Sequence, residues 1–194
     1  MSGVWRRSLN HVALVASIAA LTATTAGATD LTKTWEVGGL VDFNAYANGT
    51  DLKDSIGFGL RGAYHYKARH AVELTLEFAH TDSTLSDTPD VSFDVSKWTI
   101  DYLHELKQKK ADTKLAPFLL FGIGRFNVDD GDDSSSSTVF EGGGGVRVFM
   151  TKRFALRFDG RIWHFHGSDP VPGGHWFAFD LGAGVSFFLG GATK

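Results

Sequence analysis

The stretch RFALRFDGRIWHF, residues 153–165, alternates with a period of two. Phe154, Leu156, Phe158 and Ile162 form one comb, and Arg157, Asp159 and Arg161 form the other. Side chains with that period stand on opposite faces of a β-strand. Seven more segments share the pattern, and after residue 33 no long stretch has a helical period. In the first, Trp35, Val37, Gly39, Val41 and Phe43 oppose Glu36, Gly38, Leu40, Asp42 and Asn44. In the second, Ile56, Phe58, Leu60, Gly62, Tyr64 and Tyr66 oppose Ser55, Gly57, Gly59, Arg61, Ala63 and His65. In the third, Val72, Leu74, Leu76 and Phe78 oppose Glu73, Thr75 and Glu77.

The fourth segment begins with Val91, Phe93 and Val95 and then shifts to Trp98, Ile100 and Tyr102, against Lys97, Thr99, Asp101 and Glu105. A change of phase inside a strand predicts a β-bulge near Ser96. The fifth, 116–127, is apolar on both sides, so its facing stays open. In the sixth, Phe140, Gly142, Gly144, Val146 and Val148 oppose Glu141, Gly143, Gly145 and Arg147. The opening segment is the seventh. In the eighth, Phe177, Phe179, Leu181, Ala183, Val185 and Phe187 oppose Asp180, Gly182, Gly184 and Ser186.

Residues 1–28 have the anatomy of a secretory signal peptide. Arg6 and Arg7 precede the apolar run Val12–Leu21, and Ala26-Gly27-Ala28 offers small residues for cleavage. That run is too short to span a bilayer as a helix. Residues 29–194 then form one domain. Losing Arg6 and Arg7 moves the formal charge from -3 to -3 - 2 = -5, which offers nucleic acid no basic surface. With no cysteine there is no disulfide frame, lipid-anchored thiol or thiol chemistry. Abundant glycine (23) and phenylalanine (16) with only 4 prolines suit many strands joined by turns.

The connections sort into two alternating sets. Residues 47–54, 81–90, 128–137 and 166–175 carry ten aspartates (51, 54, 82, 87, 90, 129, 130, 132, 133, 169) against Lys53 alone. Residues 67–69, 107–115 and 150–153 carry eight Lys or Arg (67, 69, 107, 109, 110, 114, 152, 153) against Asp112 alone. In an up-and-down sheet these sets lie at opposite ends, one long-looped and acidic, the other shorter-turned and basic.

This pattern resembles the small outer-membrane β-barrels of the OmpA/OmpX type, the porin-family outer membrane β-barrel domain, over essentially the whole mature chain. DLGAGVSF, Asp180–Phe187, is similar to the C-terminal signal by which such barrels are recognised for insertion, with Asp180, Gly182, Val185 and Phe187 at its marked positions. It departs in one respect, since Phe188–Lys194 follow it. The resemblance implies an all-β, eight-stranded antiparallel up-and-down transmembrane barrel in a bacterial outer membrane with both termini in the periplasm. It also implies a monomer without cofactor, in contact with lipid, lipopolysaccharide and the barrel-assembly machinery. Its role would be structural or in surface interaction through the acidic loops, without enzymatic activity.

A closed barrel leaves no unpaired backbone edge, as hydrocarbon requires. The apolar comb then faces lipid. The charged comb fills the lumen as a network of Glu36, Asp42, Arg61, Glu73, Glu77, Lys97, Asp101, Glu105, Glu141, Arg147, Arg157, Asp159, Arg161 and Asp180, with Arg125 as a further candidate. Glycines on that comb relieve crowding, since eight strands enclose little more than their own side chains. A wide pore is excluded on this reading. A lipocalin-like soluble barrel in the periplasm would invert the combs, the apolar one lining a ligand cavity.

One enzymatic alternative follows from lipid A deacylases, eight-stranded barrels with a His-x-Ser pair and an acid fourteen positions later. His166, Ser168 and Asp180 have that spacing, for a serine nucleophile, its base and the group orienting it. Gly167 and Asp169 depart from the family's context, and Asp180 lies on the other comb from His166 and Ser168. His164, His166 and His175 cluster without the fixed-offset partners of a metal site. Trp163, His164 and Trp176 suit an interfacial aromatic girdle. VDDGDDSSSS, 128–137, has oxygen ligands but not EF-hand spacing, and reads as a solvated surface loop. GGGG, Gly142–Gly145, lies within a strand and is not a phosphate loop. Neither cofactor nor metal is expected.

Overall fold

The computed structural model describes residues 31–47, 50–83, 92–106, 114–129, 131, 134–167 and 174–190. The signal-peptide segment and Ser168 lie outside these. The strands are β1 Thr34–Tyr46, β2 Ser55–Lys67, β3 His70–Asp82, β4 Ser92–Glu105, β5 Leu115–Asp129, β6 Ser134–Phe149, β7 Phe154–Gly167 and β8 Gly174–Gly190. Each pairs antiparallel with its sequence neighbours, and β1 pairs with β8, so the sheet closes into a barrel. Both ends of the chain leave from the same end as the turns after β2, β4 and β6, here the termini end. The other is the loop end.

The combs sort as physics demands of a barrel in hydrocarbon. Ile56, Phe58, Leu60, Leu74, Ile100, Phe121, Ile123 and Phe177 are among the exposed outward side chains, whereas Glu36, Arg61, Glu73, Asp101, Arg147, Arg157 and Arg161 are buried inside. The opening segment is resolved accordingly: Arg157, Asp159 and Arg161 point inward. A lipocalin-like inversion is excluded by this facing. Trp35 and Tyr64 pair across β1 and β2 with ring centroids 4.8 Å apart, and with outward Tyr66 and Tyr102 they form an aromatic belt at the termini end. Aromatic rings of that amphipathic kind suit the level of lipid headgroups.

The bulge expected near Ser96 is absent. Pairing of β4 runs in unbroken register from Asp82↔Ser92 to His70↔His104 on one side and from Asp94↔Asp129 to Glu105↔Phe118 on the other. Phe93 and Val95 point inward on the same comb as Lys97, Thr99 and Asp101. What changes at Ser96 is the surroundings. Beyond it, toward the loop end, the outward positions turn polar: His80, Asp94, Ser96, Arg125, Asn127, Asp129, Ser134 and Ser136. The inward positions turn apolar, with Phe93, Val95, Phe126, Val128, Val139, Trp163 and Phe165 packed with Tyr46, Leu52 and Ala178 in one cluster. A strand leaving hydrocarbon for water needs the opposite facing, so apolar-out becomes apolar-in without a break in backbone register.

The same inversion settles β5. Ala116, Phe118, Leu120, Phe126 and Val128 face inward, and Leu119, Phe121 and Ile123 outward. Arg125 does not join the lumen network; it lies outside and donates from its guanidinium to Ser136 Oγ at 2.9 Å. Trp163 is no girdle residue, being 1% exposed in the inner cluster, and Trp176 packs against that cluster too. Ser134–Ser137 are not loop but the start of β6, paired with Asn127–Asp129 and Phe126. Gly131, with φ 93°, turns the hairpin, and its N–H donates to Asp129 Oδ1 at 2.8 Å.

At the termini end the lumen is again apolar. Leu31, Ala116, Phe149, Ala155 and Phe188 pack together, and Ala63, Ala71, Leu103, Phe118 and Leu120 form a second cluster. Phe188, just past the insertion-signal match, therefore continues β8 as an inward plug residue. The interior is layered: apolar at each end, charged between.

Candidate functional site

The most chemically loaded region is the middle layer of the lumen. Period-two strands bring Glu36 and Asp42 from β1, Arg61 from β2, Glu73 and Glu77 from β3, Lys97 and Asp101 from β4, Glu141 and Arg147 from β6, Arg157, Asp159 and Arg161 from β7 and Asp180 from β8 to one interior, all buried. Arg157 forms an ion pair with both oxygens of Glu73 and donates from Nε to Asp159 Oδ2 at 2.9 Å. Arg61 reaches Asp159 from the far wall at 2.8 Å. Arg161 donates to Glu141 Oε1 at 2.6 Å and to Glu73 Oε1 and Asp159 Oδ1 at 3.2 Å each. Toward the termini end, Arg147 donates to Glu36 Oε2 at 2.8 Å, Ser186 to Glu36 Oε1 at 2.7 Å, and His65 Nε2 lies 2.9 Å from Glu36 Oε2. Toward the loop end, Lys97 Nζ lies 2.5 Å from Asp180 Oδ2 and 2.7 Å from Glu77 Oε2, while Trp163 Nε1 donates to Asp180 Oδ1 at 2.7 Å.

Aromatic faces complete the shell. The Arg157 guanidinium stands 4.4 Å from the Phe118 ring centroid and Lys97 Nζ 4.7 Å from that of Trp163. Such contacts stabilise desolvated cations. The glycines make room. A Cβ on Gly145 would lie 2.7 Å from Asp159 Cβ, and one on Gly122 would strike the Asp101 carboxylate. With Glu105 at the rim, the described lumen holds nine carboxylates (Glu36, Asp42, Glu73, Glu77, Asp101, Glu105, Glu141, Asp159, Asp180) against five permanent cations (Arg61, Lys97, Arg147, Arg157, Arg161).

The alternative triad is not brought together. Asp180 sits 3% exposed in the lumen, held by Lys97 and Trp163. His166 is exposed on the outer face and pairs across β8 with His175, five positions from the Arg161↔Asp180 pair. A strand wall separates the imidazole from the carboxylate. His164, His166 and His175 do share one outward patch, with His175 Nδ1 3.2 Å from His164 Nε2 and the His166 and His175 rings 5.0 Å apart.

The comparisons with known proteins agree with this geometry. The family model described as outer membrane protein beta-barrel domain matches residues 12–187. The chain belongs to that family. Among solved structures the barrel is similar to Neisserial surface protein A, with TM-score 0.60 at 14% identity over 79% of this chain and 96% of that one. OprG from Pseudomonas aeruginosa gives TM-score 0.61 at 11% identity over 86% and 100%, and the N-terminal barrel domain of OprF from the same organism 0.51 at 16% over 81% and 98%. At such identities these likenesses concern the fold. No curated protein matches the sequence. This outer-membrane barrel thus spans a bacterial outer membrane with its apolar comb in lipid and a charged network buried inside.

What the sequence missed was the apolar layers. Phe93, Val95 and Trp163 read as outward because apolar residues elsewhere on the strands are outward, and the facing of Phe126 stayed open. The signal was present in the outward residues opposite them: Asp94, Ser96, Asn127 and Asp129 are polar where a lipid-facing comb should not be.

Proposed function

We propose that this barrel is a non-conducting envelope protein, acting in membrane integrity or surface interaction through the acidic loop end. The observation that carries the reading is the filled lumen: an interlinked charge layer between two apolar layers. Transit of even a hydrated ion would require opening both apolar layers and several buried ion pairs at once. The strands also project past the lipid-facing band, so that the outward Asp94 and Asp129 stand beyond it at the loop end. The aspartates there can gather divalent cations and so bridge to the phosphates of neighbouring lipopolysaccharide. The DLGAGVSF match, with Val185 and Phe187 outward and Asp180 inward, supports delivery by the barrel-assembly machinery. Both termini then lie in the periplasm, and the chain acts as a monomer.

Planar-bilayer recording of the purified protein is expected to give no discrete conductance steps. Regular open-channel steps at low voltage would overturn the closed-lumen reading. Lipid A from cells carrying the wild type and from cells carrying Ser168→Ala is expected to show the same acylation by mass spectrometry. Loss of an acyl chain only with the wild type would revive the esterase.

A further inference from the structure

Asp42 is the anomaly of the lumen. It is 3% exposed, yet neither carboxylate oxygen accepts a hydrogen bond of ordinary geometry, and the side-chain donor beside it is the neutral amide of Asn44 rather than a cation. A buried carboxylate without a paired cation is costly, and natural interiors supply a partner or neutralise the charge. Asp42 points into a group with Glu77 and Asp180, and one oxygen from each lies within 4.8 Å of the others. Lys97 is the cation in close contact there, at 2.5 Å from Asp180 and 2.7 Å from Glu77. Arg161 reaches Glu77 only at 3.9 Å and is already shared with Glu73, Asp101, Glu141 and Asp159. Three carboxylates against one ammonium leave two negative charges.

We propose that Asp42, Glu77 and Asp180 bind one divalent cation, calcium in character, inside the barrel at the loop-end edge of the charge network. A double charge neutralises the local excess and supplies the paired cation that Asp42 lacks. A cavity of ≈ 10 Å³ adjoins the group, lined among others by Asn44, Tyr46, Glu77 and Lys97, and is about the size of one water. It gives the ion or one of its waters a place beside Asn44 and Tyr46. All donors are oxygens, which selects a hard cation over zinc or copper. Oxygens within 4.8 Å of one another are close enough to share one ion at the distances of about 2.3–2.6 Å that calcium prefers, and calcium's tolerance of irregular geometry suits a site built from three different strands. The apolar layer of Tyr46, Phe93, Phe126 and Trp163 lies between this site and the loop-end solvent. The ion would therefore enter as the barrel closes and exchange slowly afterward.

The test is to refold the mature chain in detergent with calcium or with EDTA, and to measure bound calcium and the melting temperature. Wild type is expected to retain one calcium per barrel after gel filtration and to melt at least about 5 °C higher than the metal-free protein. Asp42→Asn is expected to fold, as shown by its heat-modifiable mobility, to retain no calcium, and to melt at the same temperature in both conditions. Asp129→Asn, in the loop-end hairpin, is expected to behave as wild type, which separates the lumen from calcium gathered by loops. Wild type that refolds without bound calcium and melts identically in calcium and EDTA would overturn the proposal and leave protons to neutralise the carboxylates. Retention of calcium by Asp42→Asn would overturn it as well.

Discussion

Arg161→Met destabilises the folded barrel by about 3–5 kcal/mol, the cost of leaving buried charges without their partner. Arg161 is the hub of the lumen. It lies 2.6 Å from Glu141, 3.2 Å from Asp159 and Glu73 and 3.5 Å from Asp101. Its removal leaves Asp159 with Arg61 and Arg157, and Glu73 with Arg157, but leaves Glu141 with only a distant cation, Lys97 at 3.5 Å, and the Thr99 hydroxyl at 3.2 Å. Asp101 loses its paired cation and shares the Thr99 hydroxyl, at 3.0 Å, with Glu141. Methionine fills much of the volume, so the loss is electrostatic rather than a cavity. Equilibrium unfolding in urea from lipid vesicles, followed by tryptophan fluorescence, reads the difference directly. Arg125→Met is the control: this arginine is outward with one hydroxyl partner, and its loss should fall within about 0.5 kcal/mol. Equal effects for the two would mean that the network adds nothing to the barrel's stability.

Ile100→Arg costs about 2–4 kcal/mol, whereas Asp94→Arg, six residues earlier on the same outward comb, costs about 0–1 kcal/mol. Ile100 is 49% exposed, pairs with Leu74 and Ile123, and stands in the apolar band. Asp94 lies beyond the point where outward residues become polar, beside His80 Nδ1 at 2.8 Å. The same substitution on the same face of the same strand thus separates lipid from water. The contrast is measured in the same vesicle unfolding experiment. Similar costs at both positions would place the bilayer edge elsewhere.

How much of this was legible in the sequence follows from what each residue pattern reports. Alternation reports a strand and its two faces, so eight strands and the inward charges of 153–165 could be read from Arg157, Asp159 and Arg161. It does not report the medium on each side. Phe93, Val95, Trp98 and Ile100 are all apolar, and a single-solvent reading can reconcile their phases only by adding a residue at Ser96. Two solvents along one strand reconcile them with none. The same assumption misplaced Trp163 in the girdle and Arg125 in the lumen. Asp42 was legible as inward, but its lack of a paired cation was not, because partners come from strands far apart in sequence. Asp180, one of its two fellow carboxylates, is 138 positions away.

The central claim is that β4 crosses from lipid to water at Ser96 while its inward comb stays dry. The chain has no cysteine, so single cysteines at 94, 95, 98, 99 and 100 carry a spin label cleanly. Relaxation by oxygen and by a water-soluble nickel chelate, measured in reconstituted vesicles, reports the medium at each position. The expected result is nickel access at 94, oxygen access at 98 and 100, and neither at 95 and 99. Oxygen access at 95 or 99, or nickel access at 100, would contradict the facing on which the account of this barrel rests.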